Sequence, residues 1–123
     1  MKEIVFIREE FPHKLRLLTA LLNVDGDLVF DDEEFFSASD QADSCEVDHY
    51  LVVRSGDKKR LMELIERGFN QISNTSAETD LDRLFHALAC VARSGHWRSL
   101  GEIETWLMER GISFTTQKRI AHK

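Results

Sequence analysis

Between positions 25 and 48 the chain carries ten Asp/Glu and not one Lys or Arg. A run like that adds little to a core, because charge without a partner is costly to take out of water. Residues 31 to 48 in particular, rich in Ser and Asp with little apolar beyond Phe35 and Phe36, read as a long surface loop. The flanks are nearly balanced, with four Lys/Arg against three Asp/Glu over residues 1 to 24 and twelve against nine over residues 49 to 123. The whole deficit behind the formal charge of −6 sits in the middle block. Phosphate backbones are bound by basic faces that release counterions, so a negative block with dispersed bases argues against direct nucleic-acid binding and for a basic protein partner.

The remaining residues suffice for one folded domain spanning 1–123. At 123 residues, with 42% hydrophobic residues, 31% charged and one proline, the chain can bury a core without disulfides or metal. Glu3, Glu9 and Glu10 interrupt the early apolar stretch, so no signal-peptide core follows the start. No run approaches the roughly 18 to 20 apolar residues of a membrane span. Cys45 and Cys90 have no second cysteine at ligand spacing and read as free thiols of a reducing compartment, which together imply a cytoplasmic protein.

The pattern of elements is strands first and helices after. Ile4 to Ile7 read as a strand and Pro12 interrupts. The Asp25-Gly26 pair between apolar runs predicts a type I′ hairpin joining strands near 14–24 and 27–31. Tyr50 to Val53 form a fourth strand, after which Ser55-Gly56-Asp57 offers capping oxygens to a helix carrying Leu61, Leu64 and Ile65 and ended by Gly68. Asp80 caps a second helix, with Leu81, Leu84, Phe85 and Leu88 on one stripe and Ser94-Gly95 at its end. Ser99 and Glu102 make an S-x-x-E capping box for a third, whose Leu100, Ile103, Trp106 and Leu107 face inward. Gly111 then reverses the chain into a short strand, Ile112 to Phe114, before the basic tail of Lys118, Arg119, His122 and Lys123. The expected class is α+β, an antiparallel sheet from the N-terminal half packed against about three C-terminal helices.

Three stretches carry a family resemblance: DGDLVFDD at 25–32, DHYLVVRSGDKKRLMELIERG at 48–68 and ARSGHWRSLGEIETWLMERGISF at 92–114. Their order, ending in W-x-x-x-R-G-I-x-F, resembles the small bacterial immunity proteins encoded beside polymorphic toxins, including those of contact-dependent growth inhibition. The resemblance implies a tight inhibitor of a cognate toxin domain, very often a nuclease, inside the cell that makes both.

Catalytic and metal motifs are missing. The histidines at 13, 49, 86, 96 and 122 form no H-E-x-x-H pair. His86 and Cys90 fall at i, i+4 without a second pair to complete a zinc site. Asn23, Asp25, Asp27 and Glu34 occupy four EF-hand positions, but Leu28 stands where the loop needs glycine. No nucleophile elbow, P-loop or dinucleotide fingerprint occurs, so no catalytic residue, metal or cofactor is assigned. Trp97, between His96 and Arg98, either staples the entry of the third helix or stands exposed as a binding anchor. The candidate partner-binding residues are Asp31, Asp32, Glu33, Glu34, Asp40, Asp43, Glu46 and Asp48, with Trp97. The leading reading is an immunity protein that occludes the basic substrate surface of a toxin; an acidic adaptor or nucleic-acid mimic is the alternative, and a small enzyme the third class.

Overall fold

A computed structural model describes residues 3–37, 44–69 and 79–122. Five strands form one antiparallel sheet in chain order: β1 (Glu3–Phe11), β2 (Lys14–Leu22), β3 (Leu28–Ser37), β4 (Ser44–Val53) and β5 (Thr115–His122). Three helices are inserted between β4 and β5: α1 (Lys58–Gly68), α2 (Asp80–Ser94) and α3 (Leu100–Glu109). This is the expected α+β arrangement.

The sheet is larger than expected, and the difference falls on the acids. Residues 31–37 and 44–48 are not loop but strand, paired from Leu28↔Val53 to Ser37↔Ser44. Ladder hydrogen bonds satisfy the backbone whatever the side chains are, and β3 also pairs with β2 from Leu28 to Phe36. Low β-propensity of Asp and Glu is overridden by this double pairing. The basic tail is likewise strand: β5 begins at Thr115 rather than Ile112 and lays Arg119 opposite Asp48. Opposite charges across a ladder favour that register.

Turn and cap chemistry is where the sequence said it would be, with altered detail. The β2–β3 connection is a five-residue turn rather than a two-residue type I′ loop, because Gly26 alone takes positive φ, at 80°. Asn23 organises it. Its carbonyl accepts the Gly26 amide at 3.1 Å, and its Oδ1 accepts the amides of Asp25 at 2.9 Å and Asp27 at 3.0 Å. Asp27 in turn accepts the Ser55 amide at 2.8 Å, fixing the junction between β4 and α1. Residues Ser55–Asp57 form a 3-10 turn there, and Asp57 makes no side-chain cap.

Gly68 closes α1 without left-handed geometry. A Cβ there would meet the Trp106 ring at 3.7 Å, an ordinary van der Waals contact, so neither backbone nor space demands glycine. The cap of α2 is Thr79, whose Oγ1 accepts the Asp82 amide at 3.1 Å, so Asp80 is the first helical residue and not the cap. Gly95, at φ 73°, ends that helix. Ser99 caps α3 by accepting the Glu102 amide at 3.2 Å, while its hydroxyl donates to Glu102 Oε1 at 3.4 Å.

Helices cover one side of the sheet. Leu18, Ala20, Leu28, Phe30, Leu51 and Val53 are buried there with Leu61, Ile65, Leu88, Ile103 and Leu107. A bulge between Val5 and Ile7 in β1 turns both Phe6 and Ile7 inward; an extra residue in one strand shifts the alternation. Trp97 is the hub of this core. It is 3% exposed and its ring lies 5.3 to 6.1 Å from those of Trp106, Phe30, Phe69 and Phe6.

Candidate functional site

Side chains alternate across a strand, so the acids of β3 and β4 divide between the two faces of the sheet. Leu28 and Phe30 point to the helices, and Asp32 and Glu34 follow them on that side. Val29, Asp31 and Glu33 share the opposite face with their register partners Val52, Tyr50 and Asp48. Glu46, two residues before Asp48, belongs with them. No described helix covers this open face.

The acids on the helix side are neutralised. Arg16 of β2 donates to both oxygens of Asp32 at 3.3 Å, to Glu9 at 3.3 Å and to the Arg98 carbonyl at 3.0 Å. Burial pulls the Arg16 guanidinium down, but Asp32 and Glu9 more than reverse this and leave it raised. Lys14 pairs with Glu34 at 3.5 Å. These five side chains tie β1, β2, β3 and the α2–α3 connection together, which is structural work.

The acids on the open face are of another kind. Asp31 is 7% exposed and Asp48 3%, and Oδ1 of each is buried without a hydrogen-bond partner. An orphaned buried acceptor costs about 1–3 kcal/mol, more if charged. Asp31, Glu33 and Asp48 each place a carboxylate oxygen within 4.8 Å of the others. The consequence is protonation: burial, then a hydrogen bond with Glu33 and the charges of Glu33, Asp48 and Glu46, push Asp31 up to about 9. Tyr50 is raised as well, first by burial and then by the charges of Asp31 and Asp48 and a hydrogen bond with Asp48; a hydrogen bond with Arg119 opposes the shift. A cation arriving at this face would meet the charges of Glu33, Glu46 and Asp48 and would displace the Asp31 proton.

Of the nine candidates read from the sequence, the structure thus gathers Asp31, Glu33, Glu46 and Asp48 on one face and diverts Asp32 and Glu34 into ion pairs. Asp40 and Asp43 lie outside the described residues. Trp97, offered as an anchor, is held in the core by its aromatic neighbours and presents no exposed ring. Tyr50 was missed, although its alternation with Asp48 in the DHY triplet could have placed it beside the acids.

Elsewhere, a cleft of about 1000 Å³ opens along α3 beside the C-terminal ends of α1 and α2, lined by Phe69, His96, Trp106 and Arg110 among others. On α2, Cys90 Sγ lies 3.7 Å from His86 Nε2 and accepts from Arg93 at 3.3 Å. No third ligand joins them among the described residues. No described helix is long and apolar enough to cross a membrane.

No protein-family model, curated protein or solved structure matches this chain.

Proposed function

We propose that this chain is an immunity-type inhibitor that binds a basic toxin domain, of the nuclease kind, through the open β3–β4 face and so covers the surface the toxin turns to its substrate. The observation that carries this reading is the gathering of Asp31, Glu33, Glu46 and Asp48 on an uncovered sheet face with two buried oxygens left unpaired. A net excess of charge of one sign, here only partly offset by Arg119 opposite Asp48, steers a partner of the other and raises its association rate. Half-buried Leu17, Leu21, Phe35 and Val52 border the acids, and apolar contact of that kind slows dissociation. Such a protein acts in the cytoplasm, where an unguarded nuclease would reach the cell's own nucleic acid.

The experiment is co-expression with the product of the adjacent gene. The two should copurify one to one, the toxin's activity should stop, and the triple variant Glu33→Gln, Glu46→Gln, Asp48→Asn should associate at least ten times more slowly at low salt. A neighbouring product that is neither bound nor inhibited refutes the immunity reading. Binding without inhibition would favour an acidic adaptor instead.

A further inference from the structure

The open face also holds a compact set of hard oxygen donors. Asp31 and Glu33 are alternate residues of β3, and Asp48 is the register partner of Glu33 on β4. All three therefore project from adjacent strands to the same side, with one oxygen of each within 4.8 Å of the other two. Two of the three side chains are more than nine-tenths buried and carry an oxygen that no donor satisfies. Glu33 is only half-buried, which leaves a way in from solvent.

We propose that Asp31, Glu33 and Asp48 form a binding site for a hard divalent cation, calcium in preference to magnesium. The donor set is all carboxylate, with no nitrogen or sulfur, which suits calcium, magnesium or manganese rather than zinc or copper. Calcium binds oxygen at about 2.3–2.6 Å, so oxygens on opposite sides of the ion stand about 4.6–5.2 Å apart. The three oxygens, each within 4.8 Å of the others, are close to that span, and small side-chain rotations would bring all three to one ion. Magnesium needs about 2.0–2.1 Å and nearly regular octahedral geometry, which three side chains set by a hydrogen-bonded ladder are poorly placed to adopt. Water to complete the coordination would enter past Glu33, the half-buried member of the three. Arg119, opposite Asp48 on β5, is the competing charge. It also hydrogen-bonds Tyr50, the register partner of Asp31, so a bound cation must offset its charge, while the β2 partner of Asp31 is the uncharged Thr19.

The test is calorimetry on the full chain after removal of metals with a chelator, using calcium chloride alone and then magnesium chloride alone. One calcium per chain should bind, and the melting temperature should rise as calcium exceeds its dissociation constant. Asp48→Asn and Glu33→Gln should each weaken calcium at least tenfold, whereas Glu34→Gln, with the same change in charge on the other face, should leave it within twofold. Terbium serves as a second probe: at this site it lies beside Tyr50, the chain's one tyrosine, and its sensitised emission should fall in Tyr50→Phe and be displaced by calcium. No stoichiometric binding at millimolar calcium would overturn the site. So would binding that all three acid variants leave equally intact, which would mark a loose counterion. Magnesium bound as tightly as calcium would overturn the preference between them.

Discussion

The same two strands make both faces of this molecule, and the faces have opposite characters. Toward the helices, β3 and β4 offer Leu28, Phe30, Leu51 and Val53, all fully buried. One residue over, they offer Asp31, Glu33, Glu46 and Asp48. The first face is stabilised by removing apolar surface from water; the second is held in spite of its charge, by a ladder that does not depend on side-chain identity. Local composition therefore misleads where it averages over neighbours. A register slip of one residue would send the acids into the core and Phe30 into water, so the difference between the faces is also what locks the pairing.

The largest effect should come from the helix side. Phe30 has no exposed surface and its ring meets Phe6 at 6.1 Å and Trp97 at 5.8 Å. Phe30→Ala should lower unfolding free energy by about 3–5 kcal/mol in denaturant titrations. Val29→Ala, adjacent in sequence on the open face, should cost well under half as much. Equal losses at the two positions would show that the open face is packed as tightly as the core and would break the comparison.

A second effect is specific to the open face and depends on pH. Asp31 sits near 3.8 when free and is pushed up to about 9 in the fold. Between those values the native state binds more protons than the unfolded one, so this group's contribution is fully present below about pH 4 and is lost as pH rises toward 9. Asp31→Asn removes the titration. In metal-free buffer its stability relative to the parent should therefore climb with pH, by at most about 1.4 kcal/mol per pH unit. Parallel stability curves for the two proteins between pH 5 and 9 would mean that Asp31 is ionised throughout.

Caps lie outside both faces and should respond like ordinary helix ends. Ser99→Ala should cost about 0.5–2 kcal/mol, and Thr79→Ala a similar amount, by thermal or chemical unfolding. A loss at Ser99 with none at Thr79 would show that the start of α2 is held by packing rather than by its cap.

What could be read from the sequence followed from how local each signal is. The Ser99/Glu102 box, the stop at Gly95 and the turn around Gly26 are decided within five residues, and each lies where it was expected. The cap of α2 moved by one residue because Thr79 and Asp80 are both competent. Strands β3 and β4 were hidden over 31–48 because both sides of them are acidic there: Asp32 and Glu34 occupy the side that Leu28 and Phe30 make apolar further back. No alternation survives in such a stretch, and only partners distant in sequence, Arg16 and Lys14 on β2, explain why those two acids are tolerated. The site was legible as a charge block but not as a face. Its membership is set by strand parity, which a loop reading cannot supply.

Parity makes its finest prediction at Glu33 and Glu34, neighbours that composition treats as equivalent. Glu34 pairs with Lys14 at 3.5 Å, with both side chains about one-third exposed, so Glu34→Gln should destabilise by about 0.2–1 kcal/mol, the range of such pairs. Glu33 stands opposite Asp48 in the ladder, where like charges repel, and accepts a hydrogen bond from the protonated Asp31 carboxyl. A glutamine there keeps an acceptor oxygen and removes the charge, so Glu33→Gln in metal-free buffer at pH 7 should be neutral or stabilising by a few tenths of a kcal/mol. The two changes should thus differ in sign. Raising salt from about 0.02 to about 0.5 M should shrink the Glu34 effect more than the Glu33 effect, since screening acts on the exposed pair first. Denaturant midpoints for both variants at both salts decide it. If Gln at 33 and Gln at 34 shift the midpoint the same way and by the same amount, the division of the acids between two faces has no energetic meaning.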